Sequence, residues 1–527
     1  MKRMLATLFV VACFYDDVWG QTPVSRPAFD IADIQVSTRQ NPGLRGGALR
    51  GTRYELRNAT MVDLIRTAYN VQPERVIGGP SWLEWNRFDI VALAPEGTPP
   101  ERLREMLKAL LAERFTLVVR EDIMPTTAMA LRLAGPHKLR EAPRAGGCQG
   151  RAAPEPNGVI AQTIACSGLT MAQLAEQLPR GAAASAYLPG GQPVIDETGL
   201  SGFWEFQLKF TPRALLGQAG SDGITLQAGV ETLGLKLEPT SITVPAIVVE
   251  TVNVTFTPNA ADIARRLPAL PPPSFEVASL RPSAPDAQQR RVQLLPNGQV
   301  NISAMPLSLM FALAWDLPDD HFVAGPDWLE TPRFDVQARA LVTPEPGNTA
   351  RFDEDLLRLM LRGLIVERFQ VKYHMEDRPM PAFDMVADGP KMTKADPATR
   401  TRCIEGAPSD PATAKLLAFA RQWTCQNVSM KQFGQLLPSI AGGYTHVPAG
   451  DRTGLSGGYN FTLSFSTSQQ VQQAAPTTDA GQAGSDSPAA LALGDAVRRQ
   501  LGVRLVDTKR PAPVLVIDSI SQTPTGN

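Results

Sequence analysis

Gly79-Pro80-Ser81-Trp82-Leu83-Glu84 and the closely following Arg87-Phe88-Asp89-Ile90 decide the architecture, because both return 246 residues later. They reappear as Gly325-Pro326-Asp327-Trp328-Leu329-Glu330 and Arg333-Phe334-Asp335-Val336. The same shift carries Phe29-Asp30-Ile31-Ala32 onto Phe275-Glu276-Val277-Ala278. A register held from Phe29 to Ile90 marks an internal repeat, and a missed repeat mis-assigns the whole fold. After small insertions the match resumes: Glu113-Arg114-Phe115 with Glu367-Arg368-Phe369, Thr198-Gly199-Leu200-Ser201-Gly202 with Thr453-Gly454-Leu455-Ser456-Gly457, and Leu233-Gly234-Leu235 with Leu501-Gly502-Val503. The chain therefore reads as a tandem duplication, with a first repeat over 25–258 and a second over 274–522. The join at 259–273 ends in Pro268-Ala269-Leu270-Pro271-Pro272-Pro273, a stiff linker.

Each repeat carries a weaker second duplication, giving modules at about 28–140, 160–256, 274–395 and 415–522. Four such units in 527 residues agree with a prior of roughly 150 residues per domain. Met61, Leu64, Ile65, Ala68 and Tyr69 form an amphipathic stripe, with Thr60 as N-cap and Asp63 three residues on. Leu307, Met310, Phe311, Ala314 and Trp315 repeat that spacing, while Thr170 with Gln173 and Ser429 with Gln432 open further helices through a capping box. Phe88 to Leu93 reads as a strand and Leu103 to Leu111 as a second helical stripe. Phe115–Val119 with Ala128–Leu133 is expected to form one hairpin. In the second module Phe203 to Phe210 is a strand, Ile224 to Leu233 a helix, and Leu235–Glu238 with Ala246–Val252 a closing hairpin. The fold class is α+β, each module a small α/β sandwich of order α-β-α-β-β, with a leading strand. The segment 468–488, rich in Gln, Ala, Ser and Gly, reads as a disordered insert.

Composition narrows the function. Lys+Arg number 51 against 52 Asp+Glu, a net charge of −1, which excludes the clustered basic footprint of a nucleic-acid partner. Met1-Lys2-Arg3, the apolar run Leu5 to Val11 and Val18-Trp19-Gly20 read as a signal peptide over 1–20. That apolar run is too short to span a bilayer. Val10-Val11-Ala12-Cys13 offers the alternative of a lipobox, in which case the membrane is reached only through a lipid anchor at Cys13. The expected location is the periplasm or the extracellular space. Beyond Cys13 there remain Cys148, Cys166, Cys403 and Cys425, an even number in an exported chain, and two local disulfides are the natural pairing. No Cys-x-x-Cys and no neighbouring histidine supports zinc.

Phe275-Glu276-Val277-Ala278-Ser279, Gly78 to Leu83, Arg87 to Ala92, Leu110 to Phe115 and Asp196 to Gly202 together give a specific motif set. On these residues the chain resembles an uncharacterised family of exported proteins abundant in soil-dwelling Acidobacteria-type bacteria. The likeness covers nearly the whole mature chain twice. It implies export and, where the same domain is fused, attachment to membrane metallopeptidases similar to the beta-lactam sensor-transducers. It implies no activity and no catalytic residue. At the level of fold alone, the modules are similar to the short N-terminal modules of secretins and TonB-dependent receptors, which bind proteins.

Few constellations suggest chemistry. Gly454-Leu455-Ser456-Gly457-Gly458 has the letters of a nucleophile elbow, yet a strand-like stretch follows where a helix is needed. Asp196 and Asp451 lie two residues before Thr-Gly and read as turn-holding side chains. The four histidines, His137, His321, His374 and His446, have no counterparts between repeats and no i, i+4 spacing. Trp82 and Trp328 are either recognition anchors or core plugs. Arg87 and Arg333 are expected to pair with a carboxylate of their own module. The expectation is a non-catalytic chain without cofactor or metal, whose modules meet an envelope protein or cell-wall component. An exported hydrolase with a site between modules and a periplasmic small-molecule sensor are the alternatives.

Overall fold

The computed structural model describes residues 27–37, 43–155, 158–188, 192–219, 222–267, 273–287, 289–295, 297–340, 354–406, 421–474 and 490–526. The signal segment with Cys13 and most of the proline linker lie outside these residues. In the first repeat the principal elements begin with β1 (Ile31–Val36), β2 (Arg45–Arg50), β3 (Arg53–Thr60), α1 (Met61–Tyr69), β4 (Val76–Gly78), β5 (Arg87–Leu93), α2 (Pro100–Phe115) and β6 (Val118–Leu133). The same order then returns as β7 (Arg140–Ala142), β8 (Gly147–Pro154), β9 (Ile160–Leu169), α3 (Met171–Gln177), β10 (Val194–Asp196), β11 (Phe203–Phe210), α4 (Leu226–Glu231) and β12 (Leu235–Thr251).

The second repeat opens with β13 (Val277–Pro282), β14 (Arg291–Leu294), β15 (Gln299–Pro306), α5 (Leu307–Trp315), β16 (Val323–Ala324), β17 (Arg333–Arg339), α6 (Glu354–Phe369) and β18 (Lys372–Ala387). It closes with β19 (Thr393–Lys394), β20 (Arg402–Gly406), β21 (Arg421–Val428), α7 (Met430–Ile440), β22 (Gly450–Asp451), β23 (Tyr459–Phe465), α8 (Leu493–Ala496) and β24 (Val503–Ser519). The fold is thus α+β, and three strands, not one, precede the first helix of each module. Four antiparallel sheets share one strand order, β1-β5-β3-β2 and its three equivalents. The expected insert at 468–488 begins with a short helix, Ser468–Ala474, and its remainder from 475 lies outside the described residues.

The expected local hairpins do not form. Phe115 ends α2, Val118–Val119 and Ala128–Leu133 lie in the single strand β6, and Leu235–Glu238 and Ala246–Thr251 in the single strand β12. β6 and β12 pair antiparallel along nearly their whole length, and β18 with β24 does the same. Pro125, Pro239 and Pro245 make these stretches look broken in sequence. Met129 donates its N–H outward to the Pro193 carbonyl, so the pair Met129–Pro239 is one whose polar groups face away from the partner strand. Pro125 and Pro245 sit an even number of steps along the same ladder, so their missing N–H groups also face outward. No ladder bond is lost. The same parity holds for Pro379, Pro381, Pro511 and Pro513, counted from Met385, whose carbonyl accepts from outside the pair.

Each long strand serves two cores. Met129 and Leu131 of β6, with Leu235 and Leu237 of β12, pack among Phe206, Phe210, Met171 and Leu226 of the second module. Ile247 and Val249 of β12 close the first module's core around Leu56, Leu64, Phe88, Leu107 and Phe115. The short strands β4 and β10 add in parallel at opposite ends of the β6–β12 ribbon.

The helix starts follow the sequence except in one module. Thr60 with Asp63, Thr170 with Gln173 and Ser429 with Gln432 form complete capping boxes, whereas α5 begins after Pro306 with no side-chain cap. Helix α4 spans only Leu226–Glu231, shorter than expected, because Thr225 caps its start and Gly234 turns the chain at positive φ just beyond its end.

Candidate functional site

Three residues before each first helix, the backbone enters the left-handed region, at Asn58, Gly168, Ala304 and Asn427. Each sits at a β-bulge, an extra residue that must be held from the side. Asp89 Oδ1 accepts from the Asn58 N–H at 2.7 Å, Asp335 Oδ1 from Ala304 at 2.8 Å, and Asn460 Oδ1 from Asn427 at 2.9 Å. Gly168 meets the need differently, since a Cβ there would lie 2.3 Å from the Arg144 carbonyl oxygen. The Arg-Phe-Asp motif therefore decodes as scaffold: Phe88 and Phe334 fill the core, and the aspartate ties the bulge.

Among the described residues Arg87 has no carboxylate partner. Its Nη1 donates to the Asn58 carbonyl at 3.0 Å, and burial lowers its pKa against the pull of nearby Asp63. Arg333 donates to the Ala287 carbonyl at 3.1 Å. Arg114, only 8% exposed, binds the carbonyls of Thr257 and Ala32, the Thr257 hydroxyl and Asn259 Oδ1, lashing the segment after β12 to α2.

The other candidates are equally occupied. Asp196 Oδ1 accepts from the Thr198 N–H and hydroxyl at 2.9 and 2.7 Å, and Asp451 does so from Thr453 at 3.0 and 2.7 Å. These are turns that launch β11 and β23. Ser456 lies in the second turn, followed by a strand, so the elbow geometry is not met. Cys148 with Cys166 and Cys403 with Cys425 form disulfides between directly opposed residues of β8–β9 and β20–β21.

Trp82 and Trp328 sit partly buried at the rims of their cores, Trp82 edge-on to Phe88 at 6.3 Å. The plug beside each is the leucine, Leu83 at 0% and Leu329 at 3% exposure. Gly79 and Gly325 allow it to enter: a Cβ would come within 2.7 and 2.6 Å of those leucine side chains.

Two of the histidines meet a carboxylate closely, and His374 Nδ1 lies 2.9 Å from Asp518. His446 Nε2 lies 2.8 Å from Asp319, which also faces Asp320 and His321. Asp319 is already engaged as the cap of a short 3-10 turn, accepting from the His321 N–H. This cluster has no equivalent in the first repeat, where Pro73, Glu74 and Arg75 occupy the matching positions.

Among the described residues the repeats meet in two places. Arg400 donates to the carbonyls of Val76 and Gly78 on the edge of β4 and pairs with Glu84 at 3.0 Å, while Thr401 donates to the Ser81 carbonyl. Trp85 of the first repeat packs against the fourth module's core beside these bonds. Arg45 of β2 reaches into the groove between α5 and α6, binding Asp355 and lying 3.7 Å from Asp316, which Arg358 also pairs. The matching groove in the first repeat, between α1 and α2, is open at about 360 Å³. Tyr54 lies in its wall, with Arg66, Asn70, Gln72 and Arg104 around it. Burial pushes the Tyr54 hydroxyl up to about 12. Sequence reasoning missed this groove, because only the packing of α2 against the consecutive elements β2, β3 and α1 creates it.

The family described as Protein of unknown function (DUF3738) matches residues 62–252 and 308–520, once in each repeat. The chain belongs to this family, as two tandem copies of its domain. No curated protein and no solved structure matches the chain. Among the described residues no helix is long and apolar enough to cross a membrane.

Proposed function

We propose that the chain is an exported, non-catalytic binding scaffold of the cell envelope, each repeat a pair of like modules that offers loops and grooves to a partner. One observation carries this reading. The polar side chains that recur between modules, Asp89, Asp335 and Asn460 at the bulges and Asp196 and Asp451 at the turns, are spent on backbone groups. Catalysis asks for titratable groups free to meet a substrate, and repeated machinery would recur with the fold. The disulfide in each repeat suits an oxidising compartment, in line with the leader-like start of the chain.

The test has two arms. Purified protein immobilised at physiological salt should capture from envelope extract a partner that then binds the purified chain directly. Serine- and metal-directed activity probes should leave the protein unlabelled. Labelling at Ser456, or turnover of a probe substrate, would replace the scaffold reading with that of an exported hydrolase.

A further inference from the structure

The equivalent grooves of the two repeats differ in both occupancy and charge. In the second repeat Arg45 fills the groove, facing Asp355 and Asp316 with Arg358 alongside. In the first repeat the corresponding positions are Glu101, Asn70 and Arg104. Arg66 stands where the second repeat has Ala312, Thr67 where it has Leu313, and Gln72 where it has Pro318. The exchange removes the Asp316 carboxylate and adds the Arg66 guanidinium, a hydroxyl and two amides, while Asp63, at the place of Leu309, pairs with Arg66 at its Nε. A groove that takes an arginine has become one rich in hydrogen-bond donors.

The Thr67 hydroxyl is spent on the Asp63 carbonyl at 2.7 Å, but the two guanidinium groups keep donors in reserve. Arg66 uses its Nε on Asp63 at 2.9 Å and Arg104 one Nη on Glu101 at 3.4 Å, leaving their other N–H groups without a partner among the described residues. Pro100 of α2 also lines the groove, and this 16-residue helix follows Pro99 without a side-chain cap. Its positive end adds to the field there. Glu101 is 74% exposed, so solvent and salt screen most of its opposing charge.

We propose that the open groove of the first repeat binds an extended peptide bearing carboxylates. The inference rests on the scaffold reading above. The second repeat supplies the shape, since there a strand edge presents one charged side chain to the same place. The exchanged residues supply the sign, because guanidinium groups hold carboxylates through paired, charge-assisted bonds.

A labelled hexaglutamate peptide, citrate and hexalysine serve as probes, titrated into the full chain at low and at physiological salt. Hexaglutamate should bind, citrate more weakly, and hexalysine not at all. Arg66→Gln and Arg104→Gln should each weaken hexaglutamate about tenfold. Asn70→Asp, which restores the second repeat's carboxylate without removing any contact of the fold, should weaken it about fivefold. Arg180→Gln, at an exposed arginine of the second module, should change nothing. Circular dichroism on each variant separates lost binding from lost folding.

The proposal is overturned if hexaglutamate fails to bind at low salt, if hexalysine binds equally, or if folded Arg104→Gln and Asn70→Asp bind as the parent does. Citrate matching hexaglutamate would overturn the peptide and leave a small carboxylate as ligand. Capture of an envelope partner without hexaglutamate binding removes the groove assignment and keeps the scaffold. Probe labelling at Ser456 with hexaglutamate bound does the reverse.

Discussion

The first and second repeats share a fold and differ in what fills one groove. Between α5 and α6 an arginine from the other repeat sits against two aspartates, while between α1 and α2 the equivalent space is open and lined by Arg66 and Arg104. Residues common to both copies keep the backbone in shape. The exchanged ones, Asn70 for Asp316 and Arg66 for Ala312, alter what the surface can hold. Duplication thus separates two demands that a single module must meet together. The edge strands show the same division: Arg291 of β14 occupies the position of Arg45 but is exposed, so the contact between repeats is used once.

The largest expected effect concerns the unit of folding. A chain ending at Ala142 lacks Ile247 and Val249, which close the first module's core, and should show no cooperative thermal transition, whereas 27–267 should. A cooperative melt for the shorter piece would show that the modules do not need their shared strands. Next comes the plug. Leu83→Ala and Leu329→Ala should each cost about 3 kcal/mol in urea unfolding, alike in both repeats. An effect on only one of them would break the equivalence. Breaking the disulfides by Cys148→Ala/Cys166→Ala, or by Cys403→Ala/Cys425→Ala, should cost about 3 kcal/mol, since the loops close over 18 and 22 residues. Asp89→Ala leaves a buried N–H of Asn58 unmade and should cost about 2 kcal/mol, while Glu205→Ala, at the matching place beside Gly168, should cost almost nothing.

Much of the architecture is legible in the sequence. The repeat, the helix stripes and three of the four caps follow from spacing and residue type, because these are local rules. The long strands are not, since prolines such as Pro125 and Pro245 read as breaks until the ladder shows which way their nitrogens face. The bulges escape as well: Asn58, Gly168, Ala304 and Asn427 share a backbone conformation but no common letter. Trp82 draws the eye by size and Leu83 does the filling, a distinction only packing makes. The groove depends on α2 folding back onto the β2–β3–α1 unit, a contact that no local pattern announces.

The difference between the repeats is tested most directly by double-mutant cycles read in unfolding free energy. Arg45 and Asp355, removed singly and together, should show a coupling of about 1 kcal/mol, as expected for a partly buried ion pair. The same cycle on Arg291 and Glu101 should give none. Equal coupling in both cycles, or none in the first, would contradict the account.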